Sequence, residues 1–167
     1  MAMINFTDIL STLNRLEQEY TSCSDNQMPV LYSKLAVLEL CGWIEQSVDT
    51  ILYEYVDNNI LDPDCKKKIK SIIKKNNGFN YDRNLFPLFC SVLGINNFEN
   101  IIDTIPQVHF QNFKTITENY TDERNKAAHT DTPLGTARKY NAPSQVINDF
   151  NLIKPAIQII ETEIKKL

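Results

Sequence analysis

Apolar residues in this chain recur every three to four positions from one end to the other. That spacing restricts the fold more than any other feature of the sequence. Ile9, Leu13 and Leu16 follow it near the start, and Ile147, Phe150, Ile153, Ile157, Ile160 and Ile164 follow it near the end. A period near 3.6 belongs to helices with one buried face; strands would alternate. Only four glycines occur in 167 residues, and Leu, Ile, Lys, Glu and Asn are abundant, a composition that favours helix. No repeat, low-complexity segment or linker divides the chain, so residues 1–167 read as one domain large enough to bury a core. The expected fold is all-α, a bundle of about five to seven helices.

Start and stop signals place those helices. The first covers about residues 6 to 21. The second and longest covers about 30 to 58, with Leu31, Leu35, Leu38, Cys41, Val48, Leu52 and Tyr55 as its expected inner stripe. Asp62 caps the third, with Pro63 at its first position, and the sequence NNG ends it. Shorter helices are expected over about 83 to 93, stopping at Gly94, and about 98 to 105, stopping before Pro106. A longer one spans about 110 to 128. The segment TDTPLGTARKYNAP has loop composition. The last helix covers about 144 to 166, and Pro155 inside it predicts a kink.

Composition removes several function classes. The net charge is −4, so the whole molecule is no polycation and any nucleic-acid contact must come from a local patch. Cys23, Cys41, Cys65 and Cys90 are widely spaced with no C-x-x-C pair, which fits no metal site and reads as free thiols in a reducing compartment. No metal or other cofactor is expected. The start MAMINFTDIL has neither a basic region nor a long apolar run, and nothing approaches the roughly 18 apolar residues of a membrane span. The expectation is a cytoplasmic protein with no membrane partner.

One stretch carries chemistry. TDERNKAAHTDTP holds Arg124 and His129, and the latter is one of only two histidines. Histidine takes and gives protons near neutral pH. Arginine stays charged and its planar fork fits phosphate oxygens. Together they suit attack of a ribose 2′-hydroxyl on the adjacent phosphate, with the arginine stabilising the phosphorane. Such a substrate is RNA, since DNA lacks that hydroxyl. Five positions amount to about 140° around a helix, so the two side chains share a site only if the helix ends between them or a second chain contributes. A twofold dimer would bring two arginines and two histidines into one cleft.

RNKAAH resembles the R-x4-6-H motif of the HEPN superfamily, with Asn125 as the polar residue after the arginine. The resemblance implies a small HEPN-like helical bundle, often a homodimer. It implies a metal-independent endoribonuclease with Arg124 and His129 as catalytic residues of a composite site at the dimer interface. It further implies a prokaryotic defence or toxin–antitoxin setting, with an antitoxin or other defence-system partner. The MAE_28990-like and RiboL-PSP groups both stay open. The family often adds an acidic residue on an earlier helix. Glu45 is the candidate here, because on a helical wheel it falls inside the apolar stripe, where a carboxylate needs a partner such as Arg124. Asn125 is expected to shape the motif or contact phosphate, and Lys126 to contact RNA.

Blander readings stand beside these. Arg124 and His129 could be a surface arginine and a histidine favoured by a helix C-terminus. The chain could equally be a non-catalytic HEPN module that binds RNA, a nucleotide or a partner protein. The run CKKKIKSIIKK could track phosphates, or form a solvated lysine face over inward Ile69, Ile72 and Ile73. His109 reads as a loop or helix-start histidine, and Trp43 as core or dimer interface.

Overall fold

The computed structural model describes residues 4–24, 27–128 and 140–167. Among them are seven α-helices and no strand: α1 (Phe6–Ser22), α2 (Met28–Asn59), α3 (Pro63–Lys75), α4 (Phe86–Leu93), α5 (Ile95–Thr104), α6 (Gln107–Ala128) and α7 (Pro143–Ile164). The all-α bundle expected from the spacing is the fold observed. α2 is its central element, packed against α1, α3, α6 and α7.

Local chemistry sets the helix boundaries. The Asn5 side-chain oxygen accepts the backbone N–H groups of Thr7 and Asp8 at 3.1 and 3.0 Å, closing the start of α1. Asp62 Oδ1 accepts the Cys65 N–H at 2.7 Å, and Pro63 follows as the first residue of α3. Before α4 the chain forms a π turn, Tyr81–Leu85, where the sequence predicts a helix starting at about Arg83. The physical reason is Pro87. It has no N–H to give the carbonyl four residues back, and its ring would clash there. The widened turn lets the Phe86 N–H reach the Tyr81 carbonyl instead. Gly94, at φ +85°, allows the chain to swing 117° from α4 into α5. α5 therefore begins at Ile95, three residues ahead of its expected start. α7 continues through Pro155.

The core gathers around α2. Trp43 is buried, with Phe6 and Phe150 edge-on at 5.6 and 5.0 Å, and its indole N–H donates to the Asn5 carbonyl at 3.1 Å. Phe89 stacks on Phe98 at 4.6 Å beneath the α4–α5 turn. The expected inner stripe of α2 needs correction. Cys41, Val48 and Leu52 are buried, but Leu31 and Leu35 are 54 % and 42 % exposed. Ala36, Val37, Leu40 and Ile44 are buried instead. The helix is apolar on nearly every side, so the neighbours that dock on it, not its own pattern, choose its inner face. Ile72, expected inward on α3, is likewise 44 % exposed, while Ile73 is fully buried. No disulfide joins the four cysteines. Among the described residues no single helix is long and apolar enough to cross a membrane.

Candidate functional site

Arg124 lies where the core face of α6 would otherwise carry an apolar residue. The buried residues of α6 are Phe113, Ile116, Thr117, Tyr120 and Ala127, and steps of four, three, four and three from Phe113 pass through Arg124 to Ala127. Its guanidinium therefore points at α2. There Nη2 lies 3.4 Å from Oε1 and 3.4 Å from Oε2 of Glu45. Both side chains are partly exposed, 38 % for Arg124 and 29 % for Glu45, so the pair is reachable from solvent. The pairing foreseen for the stripe carboxylate is the one the fold makes.

A polar tie holds α6 in this register. The Tyr120 hydroxyl, one turn before Arg124, donates to Asp149 Oδ2 on α7 at 2.8 Å. Burial, and then the Asp149 carboxylate, push the phenol pKa up and keep it protonated. Asp149 also accepts from Gln145 at 2.9 Å. From α2 the Cys41 thiol donates to the Tyr120 carbonyl at 3.7 Å. Burial pushes that thiol up to about 12, against the pull of Arg124 and with a smaller push from Glu45. A thiol held protonated in this way is a packing group, not a nucleophile.

Beside the ion pair is a cavity of about 120 Å³ lined by Glu45, Asp49, Asn76, Asn77, Gly78 and Arg124. Asp49 and the two asparagines were not assigned to a site from the sequence. Asp49 sits one turn beyond Glu45 on α2, and that four-residue spacing was the available signal. Burial raises its carboxyl to about 6, and the Glu45 charge adds to the rise. Asn76 and Asn77 signalled only a helix end. They reach the cavity because α3 packs back along α2. The Asn76 side chain donates to the Gly78 carbonyl at 2.8 Å and holds the loop. A Cβ at Gly78 would meet Asn84 Oδ1 at 2.9 Å, so a larger residue there would displace that side chain.

The cleft thus offers one fixed cation, one carboxylate engaged with it, and a second carboxylate that gains a proton just below neutral pH. Protonation of Asp49 removes one negative charge from the cavity wall, which lowers the repulsion that a phosphate meets there. A wider groove of about 730 Å³ runs between α1 and α2. Among the described residues it carries Asp8 and Glu39 and no basic side chain, so these residues offer no counter-charge for a phosphate.

The remaining expected residues are placed as follows. Asn125 is exposed on α6. Lys126 is exposed too, and its ammonium donates to Glu123 at 3.0 Å, a bond that raises its pKa. His109 is partly buried in the first turn of α6. His129 lies outside the described residues. Among the described residues no three potential metal-ligating side chains cluster.

Comparison with known families gives a match over nearly the whole chain. The family model described as RiboL-PSP-HEPN matches residues 4–166. No curated protein and no solved structure matches the chain.

Proposed function

We propose a function from one premise: the chain belongs to the RiboL-PSP-HEPN family and is a HEPN module. The function is metal-independent endoribonuclease cleavage. The observation that carries it is the Arg124–Glu45 pair at a solvent-reachable cleft.

In this reading Arg124 binds the scissile phosphate and stabilises the extra negative charge of the phosphorane. Glu45 is a positioning residue. It grips one guanidinium nitrogen and leaves the rest of the fork for phosphate oxygens. His129 takes the proton of the 2′-hydroxyl as that oxygen bonds to phosphorus. The bond from phosphorus to the 5′-oxygen then breaks, and a protonated histidine supplies the proton to the leaving oxygen. The products are a 2′,3′-cyclic phosphate and a 5′-hydroxyl. One histidine cannot be base and acid at the same instant, so a homodimer that shares its motifs across a twofold axis completes the site. Asn125, exposed beside Arg124, contacts the phosphate or holds the motif's shape, and Lys126 exchanges Glu123 for RNA. The setting is prokaryotic defence or a toxin–antitoxin pair, with a cognate partner that restrains the activity.

The test is product chemistry. Purified protein with tRNA or total RNA in EDTA is expected to release fragments ending in 2′,3′-cyclic phosphate. A single 2′-deoxy substitution at a mapped cleavage position should block that cut, and His129→Ala should abolish cleavage with folding unchanged. Binding of RNA without cleavage by the wild type would establish the non-catalytic module instead.

A further inference from the structure

The six lysines of residues 66–75 divide into two sets once α3 is packed. Lys66 and Lys70 face α2, where both reach Asp57 Oδ1, at 3.6 and 2.6 Å, and Lys66 also donates to the Asp57 carbonyl at 3.1 Å. They tie the helix down. Lys67, Lys68, Lys74 and Lys75 are exposed. At about 100° per residue all four fall within one wedge of about 120°, on the side away from α2. The two pairs are seven residues apart, about 10 Å along the axis. Asp64 lies on the same side at the far end, so the positive field rises toward the C-terminus of α3. The residues that follow directly, Asn76 and Asn77, line the Arg124 cavity.

We propose that this outward face of α3 is a track for single-stranded RNA leading into the Arg124 cleft. The ligand class rests on the ribonuclease reading above; the location rests on charge and placement. Six of the seventeen Lys and Arg residues of an acidic chain occur in this one ten-residue stretch. Such concentration is the footprint of a polyanion. Ile72 adds a second feature. It is 44 % exposed on the flank of the face, between Lys68 and Lys75. A ligand with apolar base surfaces between its phosphates covers it.

The experiment measures anisotropy of a fluorescein-labelled, 2′-O-methylated RNA 20-mer, which cannot be cut by 2′-hydroxyl attack. Four lysines on four phosphates predict a log–log salt slope near −2.8, about a 50-fold loss of affinity between 50 and 200 mM salt. The fourfold variant K67Q/K68Q/K74Q/K75Q is expected to bind at least tenfold more weakly at 50 mM, with most of that slope gone and its melting temperature kept. The inward pair K66Q/K70Q should leave the slope unchanged. A fourfold variant that binds like wild type overturns the track and leaves the cleft reading intact. A wild type that does not bind the 20-mer overturns the track and its ligand class together.

Discussion

Replacing Asp49 with asparagine should stabilise the protein at pH 8 and do nothing at pH 4. An aspartate in an unfolded chain titrates near 3.9, whereas burial and Glu45 hold this one at about 6. Between those values the folded chain keeps a proton that the unfolded chain has released. Stability therefore falls as pH rises through the window from about 4 to about 6, and the full penalty persists above it. A rise of a little over two units corresponds to a ceiling of ~3 kcal/mol at 1.36 kcal/mol per unit. The carboxyl is only partly buried, and solvent screening reduces the expected effect to ~1 kcal/mol. The amide of the variant keeps the shape of the carboxyl and carries no charge. Urea unfolding of Asp49→Asn should therefore match wild type at pH 4 and exceed it by ~1 kcal/mol at pH 8. An equal difference at both pH values would refute the titration of Asp49. So would a variant weaker than wild type at pH 8, which would mean that Arg124 serves Asp49 rather than Glu45.

Two further outcomes follow from particular contacts. A double-mutant cycle of Glu45→Gln and Arg124→Gln in urea should give a coupling of ~0.5–1 kcal/mol, modest because the pair is partly exposed and its contacts are 3.4 Å long; zero coupling would show that the pair does not persist in solution. Gly94→Ala places a Cβ at φ +85°, ψ 146° and should cost ~1–3 kcal/mol, about 2–4 °C in melting temperature for each kcal/mol; an unchanged transition would show that the α4–α5 turn relaxes freely.

How much of this could be read from the sequence depended on the kind of signal. Caps and breakers are local chemistry, so Asp62–Pro63 and Gly94 marked their boundaries well. The start of α4 was misplaced because the π turn answers to Pro87, whose effect reaches back past the expected helix start. The inner face of α2 was legible around Cys41, Val48 and Leu52 and not at Leu31 or Leu35, since a helix apolar on nearly every side leaves that choice to its neighbours. Glu45 stood out as a carboxylate on an apolar stripe that needed a counter-charge, and Arg124 supplies it. Asp49 was passed over despite lying one turn away. Asn76 and Asn77 belong to the cleft only through tertiary packing, which no local pattern encodes. The family itself was legible from six residues, RNKAAH, because their chemistry and their place late in a helical chain agree.

The central claim is that Arg124, held by Glu45, supplies the positive charge for RNA cleavage. Single-turnover cleavage of tRNA or total RNA by wild type and Arg124→Ala, in EDTA and at equal folded concentration, tests it most directly. The expected result is a fall in rate of about 10²–10³-fold, the usual effect of losing one transition-state charge partner. A variant that cleaves at the wild-type rate would contradict it.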